Sequence, residues 1–419
     1  MKNDVLQLAQ IGFGRIAKYH NLPSILPHAD VRVVAVCDVD ANRMADGKRF
    51  LSQWYHEHSS ALSTPEIQTY QDYRELLARS DIDGVIISTP DHAHVGPCLA
   101  ASLAGKDIYM EKPMSLTISE GRQMSDTLRA QGTVFQLGSQ QRGSSPWPQF
   151  RHACSLVRNG RIGNLITVEV GLPGDPGGGD PTPMEVPKHF DFASWLGTTP
   201  SVPYTEDLVH PQEGYERPGW LRCERFSAGM ITGWGSHHID TAHWGMGTEL
   251  TGPILIEAKA EFPTDDPNYS GLWNVHGDFH VTATYDNGVT MHISGDYPNG
   301  IRFIGDEGWI FVTRGSGVVE SEPDAGNPES PLQASTQSLL SPLGDQEHIR
   351  LYEGEEQHAN WIRCMRTREE TAAPPEIAHR SGSACLIAHT AMKLKRSLRW
   401  NPEAELFVGD DEANSMRSR

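Results

Sequence analysis

The chain has 419 residues and carries 54 acidic against 35 basic side chains, a formal charge of −19. That length predicts two domains rather than one core, and an acidic balance with no run of Lys or Arg excludes a surface built to neutralise nucleic acid or grip an anionic membrane. Apolar residues at 38% and aromatics at 8% are an ordinary globular composition, so the expected partners are small, uncharged or weakly polar molecules.

An apolar run begins at Val5 behind only four residues, so a secretory leader is not expected. No apolar stretch approaches the ~18 residues of a membrane span. Cys37, Cys98, Cys154, Cys223, Cys364 and Cys385 form no C-x-x-C pair. They read as free thiols of a cytoplasmic protein, without a cysteine zinc or redox motif.

Up to about residue 140 short β-branched runs alternate with helical patterns, which predicts a doubly wound parallel sheet. The strands are expected at Val5–Ile11, Val31–Cys37, Gly84–Ser88, Asp107–Met110 and Val134–Leu137, the helices at Tyr73–Arg79, His94–Ala104 and Ser119–Gln131. After Arg142 the rhythm changes. A helix Phe150–Asn159 and a strand Leu165–Leu172 precede a loop-rich stretch, Pro173 to Arg222, of the length that is usually functional. Next come a helix His237–Gly245 and alternating strands Ile254–Phe262, Phe279–Tyr285, Val289–Ser294 and Trp309–Thr313, with a turn at Asp286-Asn287-Gly288. Glu320 to Gly344 is expected to be a mobile surface loop. A helical pair, Glu355–Arg366 and Ile377–Leu398, closes the chain and should pack back on the rest. The domains expected are 1–142, the doubly wound half, and 143–419, an α+β half on an open, mainly antiparallel sheet.

Gly12-Phe13-Gly14-Arg15-Ile16-Ala17 follows the first strand and opens a helix, the context a dinucleotide fingerprint requires. Small residues permit the tight turn and let backbone N–H groups reach a pyrophosphate. Asp38 ends the second strand 26 residues after Gly12, where its carboxylate would accept from ribose hydroxyls and repel a 2′-phosphate. NAD is therefore expected over NADP. Thr89-Pro90-Asp91-His92-Ala93-His94 ends the strand Gly84–Ser88, so Thr89, Pro90 and His94 are candidate cofactor contacts, whereas His92 reads as part of a turn. Glu111-Lys112-Pro113 ends the next strand at the same edge and would aim an ammonium into the crevice. Gln140, Gln141 and Arg142 follow the last strand of this half, with Arg142 a candidate substrate contact.

In the second half, Trp234-Gly235-Ser236-His237-His238-Ile239-Asp240-Thr241-Ala242-His243-Trp244 places His237, Asp240 and Thr241 on one helix face. That face could present an acid/base imidazole or metal ligands; His238 and His243 read more simply as core residues. Trp195, Tyr204, Tyr215, Trp220 and Arg222 of the long insertion could stack on sugar rings, Trp195 and Trp220 foremost, or form a satellite core or an oligomer contact. His358 and Trp361 read as packing residues.

The motifs G-F-G-R-I-A, T-P-D-H-A-H, E-K-P and W-G-S-H-H-I-D, in this order and at these intervals, resemble the Gfo/Idh/MocA family of sugar and polyol oxidoreductases over nearly the whole chain. Leu398-Arg399-Trp400-Asn401-Pro402 with Gly409 to Asn414 resembles a bacterial branch of it. The resemblance implies a Rossmann domain beside an α/β domain, with NAD(H) or NADP(H) in the crevice between them. It implies that Lys112 contacts the hydroxyl or carbonyl that reacts, that His237 acts as acid/base and that Glu111 helps hold the nicotinamide end. One position departs from the pattern: Gly233 stands where the family carries an Asp one turn before the histidine.

The activity so implied is NAD-dependent oxidation or reduction at a secondary hydroxyl of a sugar, glycoside or cyclitol, with no metal. The alternative is a redox-neutral lyase, hydrolase or hydratase that holds NAD tightly and works through a transient keto-sugar. A regulatory module without catalysis is disfavoured, because it would need neither Lys112 nor His237. An open sheet face predicts a homo-oligomer, dimer or tetramer.

Overall fold

The computed structural model describes residues 5–58, 65–315, 330–344 and 347–419. In the first half β1 (Leu6–Ile11), β2 (Val31–Cys37), β3 (Gln68–Tyr70), β4 (Gly84–Ile87), β5 (Asp107–Met110) and β6 (Phe135–Leu137) pair in parallel in the order β3-β2-β1-β4-β5-β6. Apolar clusters fill both faces of this sheet, which is why its strands read as continuous apolar runs rather than alternating ones. The strand order reverses between β1 and β4, so the crevice beyond their carboxyl ends is where such a sheet takes a ligand. The glycine turn after β1 and Thr89-Pro90-Asp91 after β4 flank that point. β3 and the helix Ala41–His58 were not apparent in the sequence.

The second sheet is mixed. It comprises β7 (Leu165–Gly171), β8 (Leu255–Ala260), β9 (Phe279–Thr284), β10 (Thr290–Ser294), β11 (Gly300–Gly305), β12 (Gly308–Val312), β13 (Leu332–Ala334), β14 (Leu398–Asn401) and β15 (Leu406–Phe407), ordered β13-β12-β11-β7-β10-β9-β8-β14-β15. Only β7 and β10 run parallel; the other neighbours are antiparallel. Val168, Val170, Met291, Ile293, Ile301 and Phe303 pack from one face against the helices Gln149–Arg158, Gly235–Met246 and Pro375–Leu394. Every residue of the helix Gly235–Met246 is buried, and Gly247, at φ +72°, ends it.

Two expectations are corrected and one strand is added. Leu398 begins β14 rather than ending a helix, because Lys395 turns into the left-handed region and stops Pro375–Leu394. Within the stretch expected to be a surface loop, Leu332–Ala334 is a strand that completes the edge beside β12, while 320–329 lies outside the described residues. The strand β11, flanked by glycines, was not foreseen.

The closing helices do pack back. The helix Gln357–Thr367 adds Trp361 and Met365 to the core under the first sheet, with Trp361 5.9 Å from the Tyr109 ring. In the insertion, Phe190, Phe192, Trp195, Tyr204, Leu208 and Phe226 form a satellite core. No helix among the described residues is long and apolar enough to cross a membrane.

Candidate active site

A cavity of about 1790 Å³ opens between the two sheets, walled by the turns after β1, β2, β4 and β5, by the insertion and by the start of the helix Gly235–Met246. Ordinary small-ligand pockets hold roughly 300–1,000 Å³. This one has space for a dinucleotide and a second small molecule.

At one end Gly12 sits at φ +82°, and a Cβ there would stand 2.8 Å from the Ser88 carbonyl oxygen, so only glycine fits. A Cβ at Gly14 would meet nothing within 4 Å, which leaves the backbone bare toward the cavity. Asp38 accepts from the N–H groups of Phe13 at 2.7 Å and Asp40 at 2.9 Å; burial pushes its carboxyl pKa up against those two bonds. Phe13, Arg15 and Ile16 also line the wall. These features fit a bound dinucleotide.

The insertion closes over this end. Ala41 N–H donates to His189 O at 2.8 Å and Asp191 N–H to Val39 O at 3.0 Å, while His210 Nε2 meets Asp40 Oδ2 at 2.8 Å. The Tyr215 ring lies 4.0 Å from Lys18 Nζ and 3.9 Å from the Arg43 guanidinium, and its hydroxyl bonds Asp46. Tyr215 therefore belongs to the nucleotide end rather than to a sugar platform.

At the other end Lys112 Nζ donates to the Gly233 carbonyl at 2.9 Å. Burial lowers its pKa, opposed by the carboxylates of Asp91 and Glu111. His237 Nδ1 lies 2.7 Å from the Ser139 carbonyl. A carbonyl only accepts, so Nδ1 carries the proton and Nε2 keeps its lone pair. Burial, with Arg314 and Lys112 nearby, holds the ring well below its ordinary pKa and so neutral. The backbone carbonyl of Ser139 thus orients the histidine that has no Asp at Gly233.

Sequence reasoning also passed over Asp91 and Arg314. Asp91 is buried with Oδ2 unbonded, and burial lifts its pKa to about 7 against Lys112 and a hydrogen bond from Ser227. The signal was present, since Asp91 stands inside the T-P-D-H-A-H motif, but it read as a turn residue. Glu111 is likewise buried with Oε1 unbonded, and burial raises its pKa.

The remaining candidates divide. Thr89, Pro90, Trp195 and Trp220 line the cavity, Trp195 while also serving the satellite core. His94 does not: its ring bridges Thr89 O at 2.9 Å and Pro113 O at 2.7 Å, tying the turn after β4 to the turn after β5. Arg142 and Asp240 do not reach it either. Their side chains form a two-pronged ion pair, Nε to Oδ2 at 2.7 Å and Nη2 to Oδ1 at 2.9 Å, with Glu249 and Ser381 completing the shell. Mutual satisfaction in a buried site leaves neither free for substrate. Tyr204 stays in the satellite core, and Arg222 stacks on Trp273 at 4.5 Å. His238 and His243 are held separately, at 2.7 Å from Asn299 Oδ1 and from Tyr285 Oη. No group of three or more His, Cys, Asp or Glu among the described residues is arranged to hold a metal ion.

Comparison with known proteins gives one answer at family level. The model of the oxidoreductase family, NAD-binding Rossmann fold, matches residues 6–139, and that of its C-terminal alpha/beta domain matches 177–419. Uncharacterized oxidoreductase YrbE of Bacillus subtilis is 25% identical over 74% of this chain and 72% of its own length. A scyllo-inositol 2-dehydrogenase (NAD(+)) of Bacillus subtilis is 29% identical over 38% of this chain and 42% of its own. A glycosyl hydrolase family 109 protein of Shewanella pealeana is 30% identical over 39% and 34%. The latter two are thus matched over less than half their length. With both domain models matching around the glycine turn, Lys112 and His237, the chain belongs to the Gfo/Idh/MocA family of NAD-binding oxidoreductases.

Proposed function

We propose that the protein is an NAD-dependent dehydrogenase acting on a secondary hydroxyl of a sugar, glycoside or cyclitol. The observation that carries this reading is a neutral imidazole with its Nε2 lone pair free, sharing one cavity with a half-buried ammonium and a dinucleotide fingerprint. Bound NAD would supply the hydride acceptor, held by the turn at Gly12 and by Asp38. His237 Nε2 takes the hydroxyl proton. Lys112 lies against the oxygen and stabilises the alkoxide as charge develops, its ammonium being worth more in a buried site than in water. Asp38, with no 2′-phosphate tolerated beside its carboxylate, favours NAD over NADP. All six cysteines are buried and unpaired, which suits a cytoplasmic setting.

The test is NADH formation with a panel of sugars and cyclitols. Lys112→Ala and His237→Ala should each lose at least ~100-fold in kcat/KM; wild-type turnover by Lys112→Ala would overturn the assignment.

A second reading, a redox-neutral lyase, hydrolase or hydratase, is favoured by one observation: Tyr215, His210 and the backbone around His189 wall in the nucleotide end. A ring hydroxyl would be oxidised transiently, the ketone would acidify the neighbouring C–H, a group would leave or water add, and the alcohol would then be restored. Denaturing freshly purified protein and weighing the released nucleotide separates the two. Stoichiometric NAD or NADH supports the second; an empty protein supports the first.

A further inference from the structure

Arg314 follows β12 and enters the cavity beside Lys112, His237 and Gly233. Its guanidinium lies against two indoles, 4.1 Å from the Trp147 ring centre and 5.0 Å from that of Trp234. With the Gln141 amide turned so that its nitrogen donates to His237 O and Thr241 Oγ1, the amide oxygen accepts from Arg314 Nε at 3.1 Å. Nη2 is buried with no hydrogen-bond partner. No carboxylate of the described residues pairs with it.

The neighbouring charges are otherwise assigned. Arg217 lies 3.6 Å from Asp175. Lys112 has the fields of Asp91 and Glu111. Burial lowers the Arg314 pKa to about 9, with Glu111 the opposing charge. The imidazoles of His20 and His237 also feel Arg314, and burial holds both below their ordinary pKa. Arg314 is half-buried with Nη2 enclosed, and such a cation with no ion-paired carboxylate among the described residues costs free energy that a ligand anion would remove. With Nε held by Gln141, the two terminal nitrogens remain for a ligand, and a guanidinium can take a carboxylate by two parallel hydrogen bonds.

We propose that the substrate is an anionic sugar or polyol whose carboxylate is received by Arg314 while its reacting hydroxyl lies at Lys112 and His237. This rests on the oxidoreductase reading above and narrows its substrate class. It also departs from the weakly polar ligand that the overall acidity suggested, because the charge of the site is opposite to that of the molecule.

The test uses calorimetry, with intrinsic tryptophan fluorescence as a check, on the purified full chain with NAD present. The probes are matched pairs: D-glucuronate against D-glucose and D-galacturonate against D-galactose. Wild-type protein should bind at least one uronate about 10-fold or more tighter than its neutral partner. Arg314→Gln should bring that ratio close to one, and Arg314→Lys should keep part of it, since charge survives while the two-pronged geometry does not. NADH is titrated into the same variants, because a diphosphate is the other anion at hand. If Arg314→Gln weakens NADH about 10-fold and leaves the uronate preference, the residue serves the cofactor and the proposal falls. Equal binding of neutral and carboxylated sugars, with turnover, overturns the carboxylate assignment and leaves the dehydrogenase standing. Binding of neither set while NADH binds removes both.

Discussion

Asp91 and His237 divide the titration of the site between them. His237 is held well below its ordinary pKa, so it is already neutral and able to accept a proton through the whole neutral range. Asp91, lifted to about 7, changes charge within that range. Below neutrality it is protonated and Lys112 keeps only Glu111 as a countercharge; above it, the Asp91 carboxylate favours the ammonium that an alkoxide needs. kcat/KM should therefore rise with an apparent pKa near 7, and Asp91→Asn should flatten that limb while leaving NADH affinity unchanged. An unaltered profile in Asp91→Asn would place the titration elsewhere. Lys112 and His237 were legible because side chains in motifs carry them. Ser139 was not, since what it offers is a backbone carbonyl, and no residue type at position 139 announces it. Arg314 lacks any motif and gains its meaning only when Trp147 and Trp234 close around it.

Helices tie the two halves together through a charged seam. Arg122, on the helix Ile118–Gln131, reaches Glu376 at 2.7 Å and Glu405 at 2.8 Å, and His379 meets Glu405 at 2.7 Å. Against burial, the bonds from His379 and Arg122 hold the Glu405 carboxyl down to about 2, and Glu376 is held well below the usual carboxylate range by Arg122, Ser125 and Arg380. A depressed carboxylate stabilises the fold fully above its unfolded pKa near 4.5 and loses that contribution as pH falls toward the folded value. The melting temperature should drop between pH 4.5 and 2. Because Arg122 and Glu376 are partly exposed while Glu405 is buried, Arg122→Ala should cost about 1–2 kcal/mol at neutral pH, on the order of 2–6 °C. It should also blunt the acid dependence, which thermal scans across pH would read. Elements with strong apolar periodicity were legible in advance. The helix Ala41–His58 was not: its buried face is Arg43, Gly47, Leu51 and Tyr55, half of it without an apolar side chain. Gly47 is there because a Cβ would stand 2.9 Å from the Phe13 ring, a contact the sequence does not display. β3 and β11 were missed for related reasons, one only three residues long at a sheet edge, the other bounded by Gly300 and Gly305 with Arg302 between them.

At the scale of the molecule, two charge distributions act over different ranges. The net −19 counts the whole chain, and exposed charges are screened within about 8 Å at physiological salt, whereas Lys112 and Arg314 act across a few ångströms inside a walled cavity. An acidic protein can thus hold an anion locally. The nine-stranded sheet makes a separate demand. Its register sets Thr167 and Glu169 beside Thr290 and His292, with Thr282 and Thr284 on one flank and Arg302, Ile304 and Trp309 on the other. These side chains are half-buried, whereas Val168, Val170, Met291 and Ile293, which alternate with them, are buried under helices. A broad face of Thr, Ile and Trp around an Arg302–Glu169 pair has the mixed polarity of a subunit interface. The expected assembly is a homo-oligomer, dimer or tetramer, joined through this face. Light scattering at micromolar concentration should give a multiple of the chain mass, and Thr290→Arg, set among Thr167 and Thr284, should shift it to a single chain. Lys112, His237 and Arg314 line one cavity, so the dissociated variant should keep the ligand binding proposed for that cavity. A wild-type protein that runs as a monomer would mean that this face meets only water.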